Sequence, residues 1–166
     1  EETLTFENIS PRTQCYMGEC LERLGNLDQA SEYYLASLKL DPAFADAFIG
    51  LGVLADIQGR LGEACTHFEQ AISIEPEHAD YHLLLATTLK KKGEHERAEK
   101  IYTQGLILDI RNAEIWLERI DNLQVADRHE NALEVIDDSQ TALGDDGCIG
   151  YRKFISLYAL GQQVQA

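Results

Sequence analysis

The stretch that decides the fold is residues 45–78, ADAFIGLGVLADIQGRLGEACTHFEQAISIEPEH. Its apolar residues recur with helical periodicity in two runs, which predict helices over about residues 45–58 and 62–74. The runs are separated by Gln58-Gly59, and Glu75-Pro76 follows the second, where proline disfavours helix in the residue before it. The stretch therefore predicts two short antiparallel helices joined by a tight turn.

The same pattern recurs on both sides of this stretch at a spacing of 34 residues. The recurring positions are Gly25, Gly59 and Gly93; Ala30, Ala64, Ala98 and Ala132; Tyr34, Phe68 and Tyr102; Met17, Leu51 and Leu85; Gly18, Gly52 and Ala86; and Pro42 and Pro76. A fixed period of this length indicates a repeat array, in which each unit buries its apolar face against its neighbours. We predict an N-terminal extension at residues 1–10, units at 11–44, 45–78, 79–112 and 113–146, and a C-terminal segment at 147–166 with a helix near 148–160.

The pattern resembles the tetratricopeptide repeat (TPR) family, whose unit is a helix–turn–helix of about 34 residues. Residues 45–78 match it best, through Phe48, Leu51, Gly52, Gly59, Ala64, Phe68, Ala71 and Pro76. The fourth unit keeps Trp116 and Ala132 but has Asp127 where glycine is usual, so we interpret it as a degenerate repeat. The resemblance implies an all-α fold, a right-handed α-solenoid of about four repeats plus a C-terminal helix.

Gly52 lies inside a predicted helix, where glycine costs about 1 kcal/mol relative to alanine, so a packing reason is expected. We expect Gly52 to face Ala64 and so permit close approach of the two helices. Phe48 and Phe68 are then expected to fill the larger spaces between neighbouring units.

The formal net charge of −15 restricts the partners. Non-specific nucleic-acid binding requires clustered Lys and Arg, and an anionic membrane repels an acidic chain, so both are disfavoured. Neutral or basic proteins are compatible with this charge.

No apolar run approaches the roughly 20 residues needed to span a bilayer, and no signal peptide opens the chain, although it begins at Glu1 rather than Met. A cytoplasmic location is therefore the expectation.

The cysteines, Cys15, Cys20, Cys65 and Cys148, form no C-x-x-C pair. Cys15 and Cys20 are predicted to point in different directions from one helix. Small buried free thiols in a reducing compartment are favoured, with a structural zinc site or a disulfide as alternatives.

Other motifs favour no catalytic chemistry. Residues 50–55 read G-x-G-x-x-A, but a dinucleotide signature requires a preceding strand. His78 and His82 lack a third metal ligand nearby, and the acidic pairs at 137–138 and 145–146 lack the spacing of a calcium loop. The lysines at 90–92 end a helix, where cations favour the dipole, or contact a partner. We therefore expect no enzyme activity, no cofactor and no metal.

The resemblance implies a concave groove lined by the first helix of each repeat. The predicted peptide-binding residues are Arg12, Cys15, Glu19, Asp46, Ile49, Val53, Asp56, Asp80, Leu83, Thr87, Lys90, Leu117 and Asp121. Among them the aliphatic residues form a predicted apolar strip with carboxylates around it. Such a groove favours a peptide or protein segment with apolar anchors and neutral-to-basic character.

Some TPR domains bind the acidic tails of heat-shock chaperones through a basic clamp. The clamp positions fall here on Cys15, Glu19, Asp80 and Leu84, none of which matches, and the carboxylates repel an acidic tail. We expect a non-catalytic scaffold that binds a peptide or protein segment. The alternatives are the TPR region of a larger enzyme, such as a glycosyltransferase, and an array that self-associates through its last helix, around residues 151–160.

Overall fold

The computed structural model describes residues 10–144 and 146–161. Within these residues the chain is all α, with nine helices and no strand. The helices are α1 (Pro11–Arg23), α2 (Leu27–Leu40), α3 (Ala45–Ile57), α4 (Leu61–Ile74), α5 (Ala79–Lys91), α6 (His95–Leu108), α7 (Ala113–Val125), α8 (His129–Leu143) and α9 (Gly147–Ala159). The predicted all-α repeat fold is confirmed.

Helix boundaries follow the sequence period. The odd-numbered helices α1 to α9 begin at residues 11, 45, 79, 113 and 147, and the even-numbered helices begin at 27, 61, 95 and 129. The predicted extension at 1–10 lies outside the described residues apart from Ser10, as do Asp145 of the predicted acidic turn and residues 162–166. The repeat boundaries themselves stay a prediction.

The turns within the helix pairs have one conformation, which explains the glycine period. Gly25, Gly59 and Gly93 have φ angles of 80°, 74° and 79°, a left-handed region that glycine adopts without steric cost. Asp127 occupies the same position in the fourth pair with φ 57°. The amide of the next residue, Arg128, still donates to the carbonyl of Leu123 at 2.8 Å, as the equivalent amides do in the other turns.

The helices divide into two compact units, unit 1 over described residues 10–76 and unit 2 over 77–144 and 146–161. In unit 1, aromatic rings lie against glycines of neighbouring helices. A Cβ added to Gly18 would lie 2.7 Å from Cε1 of Tyr34, and one at Gly50 would meet the same ring. Tyr34 and Phe68 are almost fully buried, and these contacts set the spacing of α1, α2, α3 and α4.

Gly52 provides the expected close approach, but through a different partner. The three atoms nearest to a Cβ built at this position all belong to Phe68 rather than to Ala64. Phe68 therefore packs within the α3–α4 pair on this side, where the missing side chain at Gly52 leaves room for the ring. Phe48 is half-buried, with its ring centroid 6.2 Å from that of His67 in α4.

In unit 2 larger aliphatic and polar groups share the core. Ile120 and Ile136, both fully buried, stand where earlier pairs have a small residue and an aromatic ring. Buried Asn122 donates to the carbonyl of His95 at 3.2 Å, and Trp116 donates from its indole nitrogen to the carbonyl of Ile110 at 2.8 Å. These two donors thus each have an acceptor, which satisfies the main energetic demand of a polar group in a core.

Candidate functional site

Four of the predicted groove residues come together in unit 1. They line one cavity of about 210 Å³, which we call the unit 1 pocket, whose walls are Glu19, Glu22, Tyr34, Asp46, Ile49, Gly50 and Val53. Glu19 and Glu22 lie on α1, and Asp46, Ile49 and Val53 lie on the neighbouring first helix, α3. Helical periodicity places residues three to four apart on one face, so each helix presents a continuous wall to the pocket.

The inner end of the pocket is formed by Tyr34, which belongs to the second helix α2. Its ring reaches the pocket because Gly50 has no side chain to cover it. The Tyr34 hydroxyl donates to Oε2 of Glu22 at 2.8 Å. Burial, followed by this hydrogen bond, raises the pKa of Tyr34, so the phenol stays neutral and orients the Glu22 carboxylate.

The pocket combines negative charge with an apolar wall. Its lining holds the carboxylates of Glu19, Glu22 and Asp46 and the aliphatic side chains of Ile49 and Val53, and it includes no cationic residue. Carboxylates accept hydrogen bonds from Lys and Arg, whereas the aliphatic wall suits an apolar group. Chemically, the arrangement can hold a cationic group beside a hydrophobic one.

Two predicted groove residues are buried, contrary to the surface position expected for them. Cys15 is 2% exposed, in a core cluster with Tyr34 and Ala47, and Leu83 is 8% exposed. Burial, with the nearby carboxylate of Glu19 second, raises the pKa of the Cys15 thiol to about 12. The thiol is therefore protonated at neutral pH and is a poor nucleophile.

Arg12 is exposed and Asp56 half-buried, and neither lines the unit 1 pocket.

In unit 2 the polar groove positions are engaged with side chains of the next first helix. Lys90 on α5 forms an ion pair with Glu118 on α7. Asp121 on α7 accepts two hydrogen bonds from Arg152 on α9, at 2.7 and 3.0 Å. These contacts connect successive first helices, so the side chains contribute to the stability of the fold as well as to the surface of the molecule.

The remaining predicted residues of unit 2 make weaker contacts. Asp80 accepts from the side chain of Asn112 at 3.4 Å, and the Thr87 hydroxyl lies 3.4 Å from that of Tyr102. Leu117 is half-buried. Unit 2 therefore presents polar side chains that already have partners within the chain.

Three of the seven pocket residues, Glu22, Tyr34 and Gly50, are not among the predicted binding residues. Only residues of first helices were considered, whereas Tyr34 belongs to a second helix. A signal was available, because Gly18 and Gly50 both leave space where a tyrosine ring must be accommodated.

The motifs with a non-catalytic interpretation have structural explanations. The glycines at 50 and 52 lie inside α3 against the rings of Tyr34 and Phe68. Nδ1 of His82 lies 3.0 Å from the carbonyl oxygen of His78. All four cysteines are free, but only Cys15 and Cys65 are buried. The prediction of buried thiols is wrong for Cys20 and Cys148, which are exposed. Across the described ranges, no cluster of three or more His, Cys, Asp or Glu residues has a geometry able to hold a metal ion.

No helix within residues 10–144 and 146–161 has both the length and the apolar character needed to cross a membrane.

Comparison with known families agrees with this architecture. Two tetratricopeptide repeat models match the chain, one over residues 18–80 and the other over residues 57–120. The chain belongs to the tetratricopeptide repeat family. The TPR unit explains both the 34-residue period of the helix starts and the small residues beneath the aromatic rings.

Solved TPR structures share this fold. YrrB, described as a TPR protein with an unusual peptide-binding site, has a TM-score of 0.75 at 19% identity over 92% of this chain and 78% of its own. MamA protein has a TM-score of 0.80 at 15% identity, over 92% of this chain and 84% of its own. A tetratricopeptide repeat protein from Parabacteroides merdae has a TM-score of 0.81 at 20% identity, over 93% of this chain and 61% of its own.

These identities show likeness of fold alone. No curated protein sequence gives a significant match to the chain. In general terms TPR repeats form protein-interaction scaffolds, and the TPR fold is typically non-catalytic.

Proposed function

We propose that this TPR chain is a non-catalytic scaffold whose unit 1 pocket binds a peptide or protein segment carrying a basic side chain next to an apolar one. The observation that carries the proposal is the shared cavity of Glu19, Asp46, Ile49 and Val53, four residues selected by sequence reasoning. The named peptide-binding site of YrrB supports the general idea that a TPR fold of this size can hold a peptide.

The size of the pocket favours one anchoring side chain. Small-molecule sites usually measure about 300–1,000 Å³, whereas this cavity measures about 210 Å³. The rest of a bound segment would then lie along the adjoining surface of α1 and α3. Binding would depend on the match of a single anchor, with flanking residues adding to it.

The charge of the pocket selects the anchor. An arginine or lysine would form charge-assisted hydrogen bonds with Glu19 and Asp46, while an adjacent Leu, Ile or Val would pack on Ile49 and Val53. An acidic peptide would meet carboxylates here, and in unit 2 it would find Lys90 and Arg152 already paired with Glu118 and Asp121. Acidic tails are therefore disfavoured partners.

The experiment is titration calorimetry with a matched set of short extended peptides. The set contains a Leu-Arg core, the same core with citrulline in place of Arg, and a Leu-Glu core. We expect the Leu-Arg peptide to bind best, with an affinity that falls as salt rises. The double variant Glu19→Gln, Asp46→Asn should weaken it about tenfold or more, because each charge-assisted bond contributes about 1.5–3 kcal/mol.

The matched control is Glu114→Gln, which removes one exposed carboxylate of α7 outside the pocket. It should leave the affinity unchanged. Equal binding of the Leu-Arg and citrulline peptides, or unchanged binding by the pocket variant, would show that the assignment is wrong. The alternative that these repeats serve a larger enzyme stays a prediction, and the full reading frame decides it.

A further inference from the structure

The last helix, α9, presents aromatic side chains to solvent. Tyr151, Phe154 and Tyr158 are 64%, 48% and 75% exposed, and their spacing of three and four residues places them on one helix face. The rings of Phe154 and Tyr158 stack with centroids 6.1 Å apart. The opposite face is held by the chain, since Ile149 and Ser156 are almost fully buried.

Two glycines lie on the same outward face. Gly147 and Gly150 are exposed, and a Cβ added to either would meet no atom of the described part of the chain within 4 Å. Glycine inside a helix is unfavourable by about 1 kcal/mol relative to alanine, and no contact with the described residues accounts for Gly150. The outward face of α9 thus carries both large rings and gaps without side chains.

The charge of α9 differs from that of the rest of the chain. The net charge is −15, yet α9 contains no Asp or Glu, unlike the other eight helices of the described residues. Its two cations are paired within the chain, Arg152 with Asp121 and Lys153 with Asp137. A second copy of this acidic chain would therefore meet no carboxylate on α9 itself.

We propose that α9 is the contact between two copies of this chain, packed as an antiparallel helix pair about a twofold axis. The outward face is self-complementary in that arrangement, since a single register sets Tyr158 opposite Gly147 and Tyr151 opposite Phe154 of the second copy. Unit 1 already uses the same kind of contact, with Tyr34 over Gly18 and Phe68 over Gly52. A twofold contact requires a single surface patch that is complementary to itself. The outward face of α9 meets this requirement with its aromatic rings, its glycine gaps and its lack of carboxylates.

The patch is small, so the dimer should be weak. An aromatic side chain buries about 150–250 Å² when it is fully covered, and these three are 64%, 48% and 75% exposed in the monomer. Six of them therefore supply less than about 1,200 Å², the range of weak and transient protein contacts. Dissociation in the micromolar range is therefore expected. This proposal does not depend on the unit 1 pocket, and the tests of the two are separate.

The experiment is sedimentation velocity of the full chain from low micromolar to submillimolar concentration. We expect a monomer–dimer equilibrium. Phe154→Glu should raise the dissociation constant about tenfold or more, because it places a charge in the centre of the patch. Gly150→Leu should also weaken the dimer by filling the gap, while raising the melting temperature of the monomer, since leucine favours helix more than glycine does.

Matched controls separate the loss of the α9 contact from a general effect of added bulk or added charge on the protein. Gly62→Leu replaces another exposed helical glycine that has open space around it, and Tyr16→Glu adds a charge at an exposed aromatic of α1. Both should leave dimerisation unchanged. Orientation is tested in a Cys20→Ser, Cys148→Ser background by mixing Tyr151→Cys and Phe154→Cys chains, which should form a mixed disulfide faster than either forms with itself.

Three results would overturn the proposal. The first is a strict monomer over the whole concentration range. The second is a dimer unaffected by Phe154→Glu and Gly150→Leu, including one lost instead on Ile49→Asp in the unit 1 pocket. The third is preferential self-crosslinking of the single-cysteine chains, which would indicate a parallel pair.

Discussion

Gly52 of α3 lies directly against the ring of Phe68 in α4, so a Cβ at position 52 would come within 3.0 Å of three atoms of that ring. Because Phe68 is 1% exposed and enclosed on its other sides, the ring has little freedom to move away. The contact explains why a helix tolerates glycine at this position.

Replacing Gly52 should therefore destabilise the chain despite the better helix propensity of the new residue. We expect Gly52→Ala to cost about 1–3 kcal/mol through overpacking, and Gly52→Leu to cost more. Thermal unfolding followed by circular dichroism measures the effect. Gly62→Ala is the matched control in α4, where open space should allow a gain of up to about 1 kcal/mol. Equal melting temperatures for Gly52→Ala and the parent would contradict the packing role of this glycine.

Asp127 is expected to be a position of stored backbone strain. It adopts φ 57° where the other three helix pairs have glycine, and a side chain in the left-handed region costs free energy. Asp127→Gly should raise the free energy of unfolding by about 0.5–1 kcal/mol, measured by urea denaturation. The reverse change, Gly93→Asp, should lower it by a similar amount. A loss of stability in Asp127→Gly would instead assign more weight to the contact of Asp127 with His129.

Thiol reactivity should divide the four cysteines into two classes. Cys20 and Cys148 are exposed, whereas Cys15 and Cys65 are buried. In the native protein we expect an aromatic disulfide reagent to titrate two thiols quickly, and all four only after unfolding. A Cys20→Ser, Cys148→Ser variant should show almost no fast phase. Rapid reaction of this variant under native conditions would contradict the burial of Cys15.

Stability should fall at alkaline pH. Burial raises the pKa of Cys15 from 9.0 to about 12 and, as the largest cause in each case, raises the pKa values of Tyr34 and Tyr102. Above pH 9 the unfolded chain therefore releases protons that the folded chain retains, so the unfolded state is favoured. The contribution of Cys15 is complete below pH 9 and is lost as pH rises towards 12.

The measurement is the melting temperature between pH 8 and about pH 11, with Cys15→Ala as the comparison. The variant should lose stability less steeply above pH 9, where the parent thiol would ionise on unfolding. Tyrosinate absorbance should rise together with unfolding and not before it for the buried tyrosines. Identical slopes in the parent and in Cys15→Ala would show that this thiol ionises equally in both states.

The sequence period predicted the helices closely, and the reason is local. Gly25, Gly59 and Gly93 mark turns because each needs the left-handed conformation, and the apolar spacing within each run defines one helix face. Predicted and observed helix limits in residues 45–78 differ by one residue. Asp127 shows the limit of this reasoning, since it forms the same turn without the residue type that signals it.

The sequence determined the repeat fold, because a periodic pattern fixes which residues share a helix face, and the family resemblance selected Glu19, Asp46, Ile49 and Val53 as groove positions. Only the tertiary structure decided that Tyr34 closes the pocket, that Cys15 and Leu83 are covered, and that Lys90 and Asp121 have partners on the next helix. Those outcomes depend on the distances between helices. Side chains far apart in the sequence set these distances, through contacts such as that of Phe68 with Gly52.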